Sequence, residues 1–454
     1  MDDAVHFGGE AVYDGIELQE YREDRPVHCE RLIGVAGTGK TYTLLQRTRE
    51  DAAYGLLSST TGISAVNLGT VTINSILKYF DTQSLKDAYL TGRLTRYLHD
   101  IALHYRRLIV EEYSMAEGAQ LDLWYRAVQE ANRKPDVVTP LGILLVGDLA
   151  QLPPVSGDWV FHADCWRHFA DNTTRLTHVY RQDGGPFLDA LNLLRAGLGG
   201  PASEVLSAAG AAWNTQLDTE FDGTTILPVN ENVRRYNEMA LDRVPGPRIT
   251  VTSRRWGLQR SEWGQSRRTG EWGIPPKQDF KIGALVMLLA NRADFSAVNG
   301  DCGHIVDYAD PNSLAEHFDV KLLRTGKVER IERIARHVDQ ESRPDDWKGE
   351  RVPPDEDEGN YMPFPHYRAR AKKYVLGQVE YMPMRLAYSS TVHKTQSLTL
   401  DKIQVDIRHH FFGNPAMAYV ALSRVRTLEG LRIVGGKDRF IKQCKVEPAV
   451  QEWL

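Results

Sequence analysis

Short apolar runs and longer helical stretches alternate along the first third of the chain. Each run is rich in leucine or branched residues and is followed by a glycine or a polar turn; the runs lie at 31–35, 54–58, 107–111 and 141–146. Short apolar strands that alternate with helices are typical of a parallel sheet covered by helices. The pattern therefore predicts an α/β fold for this part of the chain.

A second series of the same kind begins near Leu176. Its predicted strands lie at 224–229, 385–388, 401–407 and 431–434, and its predicted helices at 186–196, 231–241 and 415–422. Within residues 299–384 the sequence pattern differs from this alternation of strands and helices, because polar loops join short strand-like runs such as 304–308 and 318–323. We therefore predict a second α/β domain that carries a small inserted β domain. A further insertion, 81–100, mixes apolar and basic residues within the first domain.

The length of 454 residues is enough for about three domains. No apolar run approaches the ~18 residues that span a bilayer, and the N-terminus lacks the basic-then-apolar order of a signal peptide. The cysteines at 29, 165, 302 and 444 lie far apart and form no Cys-x-x-Cys pair, so neither a zinc site nor a disulfide framework is indicated. We expect free, mostly buried thiols in a cytoplasmic protein of a bacterial or phage-infected cell.

The net charge of −5 by itself argues against a nucleic-acid binder. The distribution of charge matters more than its sum. Basic residues cluster at 248–268 and 366–373, whereas acidic residues concentrate at 339–358. Each basic cluster fits either a nucleic-acid contact or a solvated charged face. Segment 339–360, which is rich in Asp, Glu and Pro, is predicted to be an exposed loop.

Residues 34–41 read Gly-Val-Ala-Gly-Thr-Gly-Lys-Thr and match the phosphate-loop pattern G-x-x-x-x-G-K-[ST] in full. They follow a predicted strand and open a predicted helix, which is the context that the motif requires. Glycines let backbone N–H groups curl around phosphate oxygens, and the helix N-terminus adds its positive end. The motif predicts ATP and Mg²⁺ as cofactors, with Lys40 on the β- and γ-phosphates and Thr41 on the metal. The predicted nucleotide-binding residues are Gly34, Gly37, Thr38, Gly39, Lys40 and Thr41.

Two carboxylates, Glu111 and Glu112, end a predicted strand downstream of the phosphate loop. A metal-bound nucleotide requires one acid beside the Mg²⁺ and another group that orients the attacking water. Glu111 is predicted to take the first role and Glu112 the second. The alternative is a pair of surface charges at a strand end, which the position downstream of the phosphate loop disfavours.

Residues 147–155, Gly-Asp-Leu-Ala-Gln-Leu-Pro-Pro-Val, resemble motif III of the superfamily 1 DNA helicases of the RecD/Dda branch and their Pif relatives. A phosphate loop alone indicates only an NTPase, whereas motifs III, V and VI together are far more specific. Six further stretches resemble motifs of this family in the same order, namely 59–65, 71–75, 179–182, 298–303, 390–397 and 419–426.

The resemblance implies two RecA-like domains with ATP in the cleft between them. Gln151 would then sense the γ-phosphate, and Arg181 and Arg424 would be arginine fingers from the second domain, groups that are worth ~10³–10⁵ in rate. For either arginine the alternative is a surface salt bridge. The implied parts are a first domain over 1–178 with a duplex-splitting pin at 81–100, a second domain over 179–298 and 385–454, and an SH3-like insertion over 299–384.

The resemblance also implies a DNA-dependent ATPase that moves 5′→3′ along single-stranded DNA and unwinds tailed duplexes. The candidate DNA contacts are Thr60, Thr61, Asn74, Thr391 and His393. Hydroxyl and amide contacts suit a protein that moves along a DNA strand while staying bound to it, because each contact is weak and is easily remade at the next position. A second hypothesis is a nucleotide-gated subunit of a larger complex that binds DNA but unwinds little. An ATPase unrelated to nucleic acid would leave motifs Ia and V unexplained.

Three residues depart from the family's pattern. Glu111 stands where the family usually has Asp, and the longer glutamate would slow ATP hydrolysis unless the strand is set back. Glu111→Asp restores the usual residue and is therefore expected to keep or raise the rate of ATP hydrolysis. Gln19 is the only candidate upstream of the phosphate loop for the adenine-reading glutamine, and the alternative for it is a solvated surface residue. Ser397 stands in motif V where glycine is usual.

Three Trp-Gly pairs recur among arginines at 256–257, 263–264 and 272–273. Tryptophan beside arginine can stack on nucleic-acid bases. The same segment could dock a protein partner, or form a β-hairpin that packs its tryptophans onto the second domain. All three interpretations remain open from the sequence.

Overall fold

The structure is a computed structural model that describes residues 26–182, 184–256, 274–290, 296–297, 300–309, 316–340, 350–352, 366–368, 373–396 and 398–454. In this part of the chain, no helix combines the length and the apolar character needed to cross a membrane. All four cysteines are free and buried, as predicted.

The first domain contains the strands β1 (Cys29–Gly34), β2 (Leu56–Ser59), β3 (Arg107–Glu111), β4 (Gly142–Gly147) and β5 (Thr173–Leu176). They form one parallel sheet in the order β2-β3-β4-β1-β5. All six residues of β4 are buried, because helices cover both faces of such a sheet. The helices are α1 (Lys40–Glu50), α2 (Gly62–Asn67), α3 (Ile73–Leu77), α4 (Thr82–Leu90), α5 (Arg93–Ala102), α6 (Gly118–Asn132) and α7 (Trp166–Ala170).

The second domain repeats this architecture. Its strands β6 (Ala212–Asn214), β7 (Thr224–Leu227), β20 (Ser389–Thr391), β21 (Ile403–Asp406) and β22 (Leu431–Val434) form a parallel sheet in the order β20-β7-β21-β22-β6. The predicted α/β fold class is therefore confirmed. The helices are α8 (Pro186–Arg195), α9 (Gly199–Ala208), α10 (Asn230–Arg243), α11 (Val392–Thr395), α12 (Met417–Leu422) and α13 (Lys437–Gln443).

The β insertion begins at Ile249, earlier than the predicted start at residue 299. Its first strand alternates buried and exposed residues, as an antiparallel strand with one solvated face does. The predicted strand at 385–388 is observed at 384–386, where it pairs within the insertion, and a separate strand at 389–391 joins the second parallel sheet. The strands are β8 (Ile249–Thr252), β9 (Arg254–Trp256), β10 (Lys277–Phe280), β11 (Leu285–Leu288), β12 (Cys302–Tyr308), β13 (His317–Leu322), β14 (Val328–Glu332), β15 (Ile334–Gln340), β16 (Glu350–Val352), β17 (His366–Arg368), β18 (Lys373–Tyr381) and β19 (Met384–Leu386).

The insertion's strands pair in three groups. β8 pairs with β10, and a five-stranded antiparallel sheet has the order β14-β13-β12-β11-β19. The third group has the order β15-β18-β17-β16, with β9 added on β18. Trp256 of the Trp-Gly segment lies in β9 opposite Gln378, whereas 257–273 lie outside the described residues. The interpretations of that segment therefore remain predictions.

The predicted pin at 81–100 forms the helical hairpin of α4 and α5. Asp81 caps α4 through a side-chain bond to the N–H of Ser84, a common way to satisfy a free donor at a helix N-terminus. Leu85, Leu94 and Leu98 are fully buried in the core of the first domain. Because this apolar face packs inward, the hairpin differs from a pin that projects freely, and its role at a duplex junction stays a prediction.

The last residues of the chain return to the first domain. Val450 is fully buried in the first domain's core, and the ring of Trp453 packs edge-on against Trp166 at 5.8 Å between centroids. The short helix Pro448–Trp453 that carries them follows α13, whose Phe440 lies in the core of the second domain. The C-terminal segment therefore spans both domains.

Candidate nucleotide site and interdomain cleft

The phosphate loop runs from the end of β1 to the start of α1, as the spacing predicted. Gly37 has a φ of 89°, and a Cβ there would lie 2.6 Å from the Cβ of Arg181. A Cβ on Gly34 would lie 2.5 Å from Oγ1 of Thr38. Glycine is required at both positions, because a side chain would collide with its neighbours and L-residues rarely adopt the conformation of Gly37.

The side chain of Lys40, at the end of the phosphate loop, bonds back to the residues at the start of the loop. Its Nζ donates to the carbonyl oxygens of Gly34 at 2.7 Å and Val35 at 3.1 Å. Burial lowers the pKa of Lys40, and the carboxylates of the cleft oppose that shift. Thr38 is buried, and its hydroxyl donates to Val35 at 3.0 Å. Thr38 therefore supports the loop from within, while the ammonium of Lys40 lies at its centre.

Glu111 lies beside Thr41, as predicted, and its carboxylate accepts hydrogen bonds from the hydroxyls of Thr41 and Ser64. Burial, and then the adjacent charge of Glu112, raise the pKa of Glu111 to about 7. Ser64 lies on α2 and is fully buried. The sequence prediction missed Ser64, although it belongs to the motif Ia stretch; only its contact with Glu111 distinguishes it from a helix-packing serine.

Glu112 has a φ of 54°, a left-handed conformation that is uncommon for residues other than glycine. Its Oε2 accepts a hydrogen bond of 3.1 Å from the amide of Gln396, which precedes Ser397 in motif V. The backbone carbonyl of Glu112 accepts a bond of 2.7 Å from the hydroxyl of Thr60. Gln396 was not predicted as a site residue, because only the fold brings the second domain to this carboxylate.

Arg181 and Arg424 converge on one short segment of the second domain. Arg181 donates to the carbonyl of Ser423 at 3.1 Å, and Arg424 donates to the carbonyl of Val420 at 2.8 Å and to the Ser423 hydroxyl at 2.7 Å. Burial lowers the pKa of both guanidinium groups, and the charge of Arg424 lowers that of Arg181 further. Two buried cations this close together form a site that favours a polyanion.

One cavity of about 480 Å³ brings these groups together. Gln151 also lines it, is 3% exposed, and has no hydrogen-bond partner for Oε1 among the described residues. Exposed Tyr42 and Tyr180 line the cavity too and were not predicted. Gln19 lies outside the described residues. The predicted residues on the cavity wall are Gly37, Gly39, Lys40, Thr41, Glu111, Glu112, Gln151, Arg181 and Arg424, whereas Gly34 and Thr38 do not line the cavity.

The five predicted DNA contacts lie in two places. Thr60, Thr61 and Asn74 lie in the first domain. The Thr61 hydroxyl accepts a hydrogen bond of 3.2 Å from the N–H of Ser64, and the Asn74 side-chain amide donates one of 3.5 Å to the carbonyl of Phe80. In the second domain, Thr391 and His393 line a cavity of about 320 Å³. The Thr391 hydroxyl caps α11 by accepting from the N–H of Lys394 at 3.3 Å, so it is already engaged.

Comparisons with known proteins agree with this cleft. A family model described as an AAA domain matches residues 25–212. The ATP-dependent DNA helicase Pif1 of Bdellovibrio bacteriovorus is 28% identical, over 90% of this chain and 85% of that protein. The human ATP-dependent DNA helicase PIF1 is 26% identical, over 88% of this chain and 57% of that protein. This chain is therefore similar to Pif1 helicases along nearly all of its length.

Solved Pif1 structures have the same fold as this Pif1-like chain. The Bacteroides Pif1 complex with ADP-AlF4 has a TM-score of 0.67 and 23% identity, and it covers 94% of this chain and 92% of that one. The Candida albicans Pif1 helicase has a TM-score of 0.66 and 22% identity, with 93% and 94% covered. Both likenesses extend over nearly the whole chain, including both parallel sheets.

The Ser64 contact changes the expected effect of Glu111→Asp in this Pif1-like chain. Aspartate is one methylene shorter, so it cannot reach Thr41 and Ser64 together without a backbone shift. We expect kcat for ATP hydrolysis to fall about tenfold, or ~1.4 kcal/mol in the barrier. The measurement is steady-state ATP turnover of the wild type, Glu111→Asp, Ser64→Ala and the double variant.

Ser64→Ala is the matched control, because it removes the same contact and keeps the glutamate. In the Glu111→Asp background, Ser64→Ala should add little further loss, since the contact is already broken. Unchanged or faster turnover of Glu111→Asp would show that aspartate, the usual family residue, serves equally well here.

Proposed function

We propose that this chain is an ATP-driven motor that moves 5′→3′ along single-stranded DNA and separates tailed duplexes. The observation that carries the proposal is that all six predicted catalytic residues, contributed by both domains, line the one cavity described above. A cavity of about 480 Å³ is within the range of small-molecule sites, roughly 300–1,000 Å³. A site shared by two domains allows ATP binding and hydrolysis to change the distance between them.

The triphosphate would lie between Lys40 and the two arginines. Lys40 now donates to two carbonyls of its own loop, and phosphate oxygens would compete for the same ammonium. Arg181 and Arg424 would place positive charge where negative charge develops in the transition state. The unpartnered amide oxygen of Gln151 is free to accept a hydrogen bond from the attacking water, while its amide group can contact the γ-phosphate.

The residues Thr41 and Glu111 fit a Mg²⁺ site. They present hydroxyl and carboxylate oxygens side by side, which are the hard ligands that Mg²⁺ prefers. Both carboxylate oxygens of Glu111 lie beside hydroxyl groups, those of Thr41 and Ser64, so the donor set at this position consists of oxygen atoms. When bound, Mg²⁺ would neutralise charge on the β- and γ-phosphate oxygens. Glu112, next along the chain, would orient the attacking water.

The base of the nucleotide has an aromatic candidate in Tyr180. Its ring is 71% exposed and lines the cavity, and its backbone N–H donates to Gly37 of the phosphate loop at 2.8 Å. An exposed ring held at the cavity wall by its own backbone can stack on a base without a large loss of entropy. Such stacking accepts any base, because every base has a π-face.

Coupling between DNA and ATP would pass through Glu112. Thr60, a candidate DNA contact, holds the backbone of Glu112, and Gln396 of motif V holds its carboxylate. Thr391, the second-domain candidate, lies five residues before Gln396 and caps the helix that leads to it. A DNA strand that shifts either domain would therefore move the groups that hold the water-orienting acid.

The second candidate function is a nucleotide-gated, DNA-binding subunit with little unwinding of its own. The helical hairpin of α4 and α5 favours it, because a wedge that is packed into the core is not free to split a duplex. A protein partner on the Trp-Gly segment and a cytoplasmic location likewise remain proposals. The two functions differ only in strand separation, since both require DNA-stimulated ATP hydrolysis.

The test measures ATP hydrolysis with and without single-stranded DNA, followed by strand separation on duplexes with a 5′ or a 3′ tail. The proposal expects DNA to stimulate hydrolysis and the 5′-tailed duplex alone to be unwound. Stimulated hydrolysis without unwinding of either substrate would favour the gated subunit. Hydrolysis that does not respond to DNA would overturn both functions.

A further inference from the structure

A buried carboxylate beside the nucleotide cavity joins the two domains and has no place in the hydrolytic roles assigned above. Asp148 follows β4 in the first domain, and its side chain is inaccessible to solvent. Arg195, at the end of α8 in the second domain, donates to both of its oxygens: from Nε at 3.2 and 3.1 Å, and from Nη2 at 3.0 Å. A forked pair of this kind fixes geometry as well as charge.

Tyr419 links the same carboxylate to the phosphate loop. Its hydroxyl donates to Oδ2 of Asp148 at 3.1 Å and accepts from the backbone N–H of Ala36 at 3.1 Å. Tyr419 lies on α12 in the second domain and is 3% exposed. Burial, and then the charge of Asp148, raise the pKa of Tyr419, so the phenol keeps the proton that it donates.

Each member of this network lies close in sequence to a residue proposed to contact ATP. Asp148 precedes Gln151 by three residues, and Tyr419 precedes Arg424 by five. Ala36 belongs to the loop that ends at Lys40. Because short segments of backbone are stiff, bonds among Ala36, Asp148 and Tyr419 restrict how far these three catalytic groups can move relative to one another.

The network would also be costly to open. A partial opening that breaks these bonds before water enters would leave Asp148 as a buried charge without Arg195, and would leave the Ala36 N–H without an acceptor. An unpaired buried charge is strongly unfavourable, and so is an unsatisfied buried N–H. The polar network therefore favours a single closed arrangement over partly open ones, which apolar side chains of the same volume would not do.

We infer that Asp148, Tyr419 and Arg195 form a positioning network that holds the cleft closed and sets the distance between the phosphate loop and the second-domain arginines. None of the three touches the reacting atoms in this role. The inference rests on the proposed ATP-driven function and adds the contacts that couple closure to hydrolysis. It predicts that damage to the network lowers kcat and leaves ATP affinity nearly unchanged.

The test is steady-state ATP hydrolysis with saturating single-stranded DNA, beside titration of a fluorescent ATP analogue. Tyr419→Phe removes one hydroxyl and keeps the ring. We expect kcat to fall about tenfold, the loss typical of one hydrogen bond to a charged group, while analogue affinity changes by less than about twofold. Asp148→Asn combined with Tyr419→Phe should lose less than the sum of the two single losses, because the two residues share one contact.

Two controls separate positioning from general stability. Tyr236→Phe removes a hydroxyl that is bonded to Thr225 and to the carbonyl of Asp218, within the second domain and outside the cavity; it should leave kcat unchanged. Arg195→Lys should recover part of the kcat that Arg195→Met loses, since lysine restores the charge without the fork. Melting temperatures of all variants show whether each one is folded at the assay temperature.

The outcomes distinguish this inference from the proposed function. A wild-type protein that does not hydrolyse ATP with DNA would contradict the proposed function. If the wild type is active, normal kcat in folded Tyr419→Phe, or an equal loss in Tyr236→Phe, would overturn the positioning network. A rise in KM at unchanged kcat would also overturn it, because the contact would then contribute to binding alone.

Discussion

Arg424→Ala is expected to lower DNA-stimulated kcat for ATP hydrolysis by about 10³-fold or more, the range for loss of an arginine finger. ATP affinity should weaken only modestly. Arg424 is 1% exposed and donates to the carbonyl of Val420 in α12 and to the hydroxyl of Ser423, and these contacts hold it at the cavity wall. Its charge matters most when negative charge builds on the transferring phosphoryl group.

The measurement pairs a fluorescent ATP-analogue titration with turnover at saturating single-stranded DNA. Arg439→Ala is the matched control, because Arg439 also lies in the second domain but is exposed and donates to the carbonyl of Arg408. It should retain wild-type turnover. Normal DNA-stimulated hydrolysis by Arg424→Ala would show that this residue is not a finger and that the motif VI alignment is wrong.

Lys40→Ala is expected to abolish ATP hydrolysis and, unlike Arg424→Ala, to weaken ATP binding as well. The ammonium lies within the phosphate loop, bonded to the carbonyls of Gly34 and Val35, so it would contact phosphate whether the cleft is open or closed. The fold should survive, because within the described part of the chain the ammonium of Lys40 donates only to Gly34 and Val35 of its own loop. Circular dichroism and thermal melting would check that expectation.

Lys402→Ala is the control for charge removal at a lysine, since Lys402 is exposed and pairs with Asp222. It should bind and hydrolyse ATP normally. Wild-type turnover by Lys40→Ala would remove the basis for the nucleotide site. Together, the two active-site variants separate a contact made throughout the cycle from one made in the closed state.

The sequence by itself determined the local parts of this protein. The phosphate loop could be located because its glycines, lysine and threonine are consecutive and follow a strand, so a short segment specifies its own conformation. Continuous apolar runs such as 107–111 likewise predicted buried parallel strands, since both faces of such strands are covered. The resemblance to superfamily 1 motifs also assigned Arg181 and Arg424 to one site, although they are far apart in the sequence. Arg181 bonds to Ser423, which lies 242 residues further along the chain and is the neighbour of Arg424.

Other features depend on contacts that no local pattern encodes. The start of the β insertion at Ile249 is decided by pairing with β10, not by the composition of the segment. The stretch at 81–100 was predicted as an insertion that mixes basic and apolar residues, yet three of its four leucines, Leu85, Leu94 and Leu98, lie in the core of the first domain. Whether such residues are buried depends on which partner the fold brings to them.

The same distinction applies within the cleft. Ser64, Gln396 and Tyr419 are ordinary polar residues in sequence, and each becomes specific only through a carboxylate on a distant segment: Glu111, Glu112 or Asp148. Hydrogen bonds act over about 3 Å, so they depend on tertiary placement rather than on residue type. The sequence thus determined which chemistry the chain carries, and the tertiary structure alone decided which side chains hold that chemistry in place.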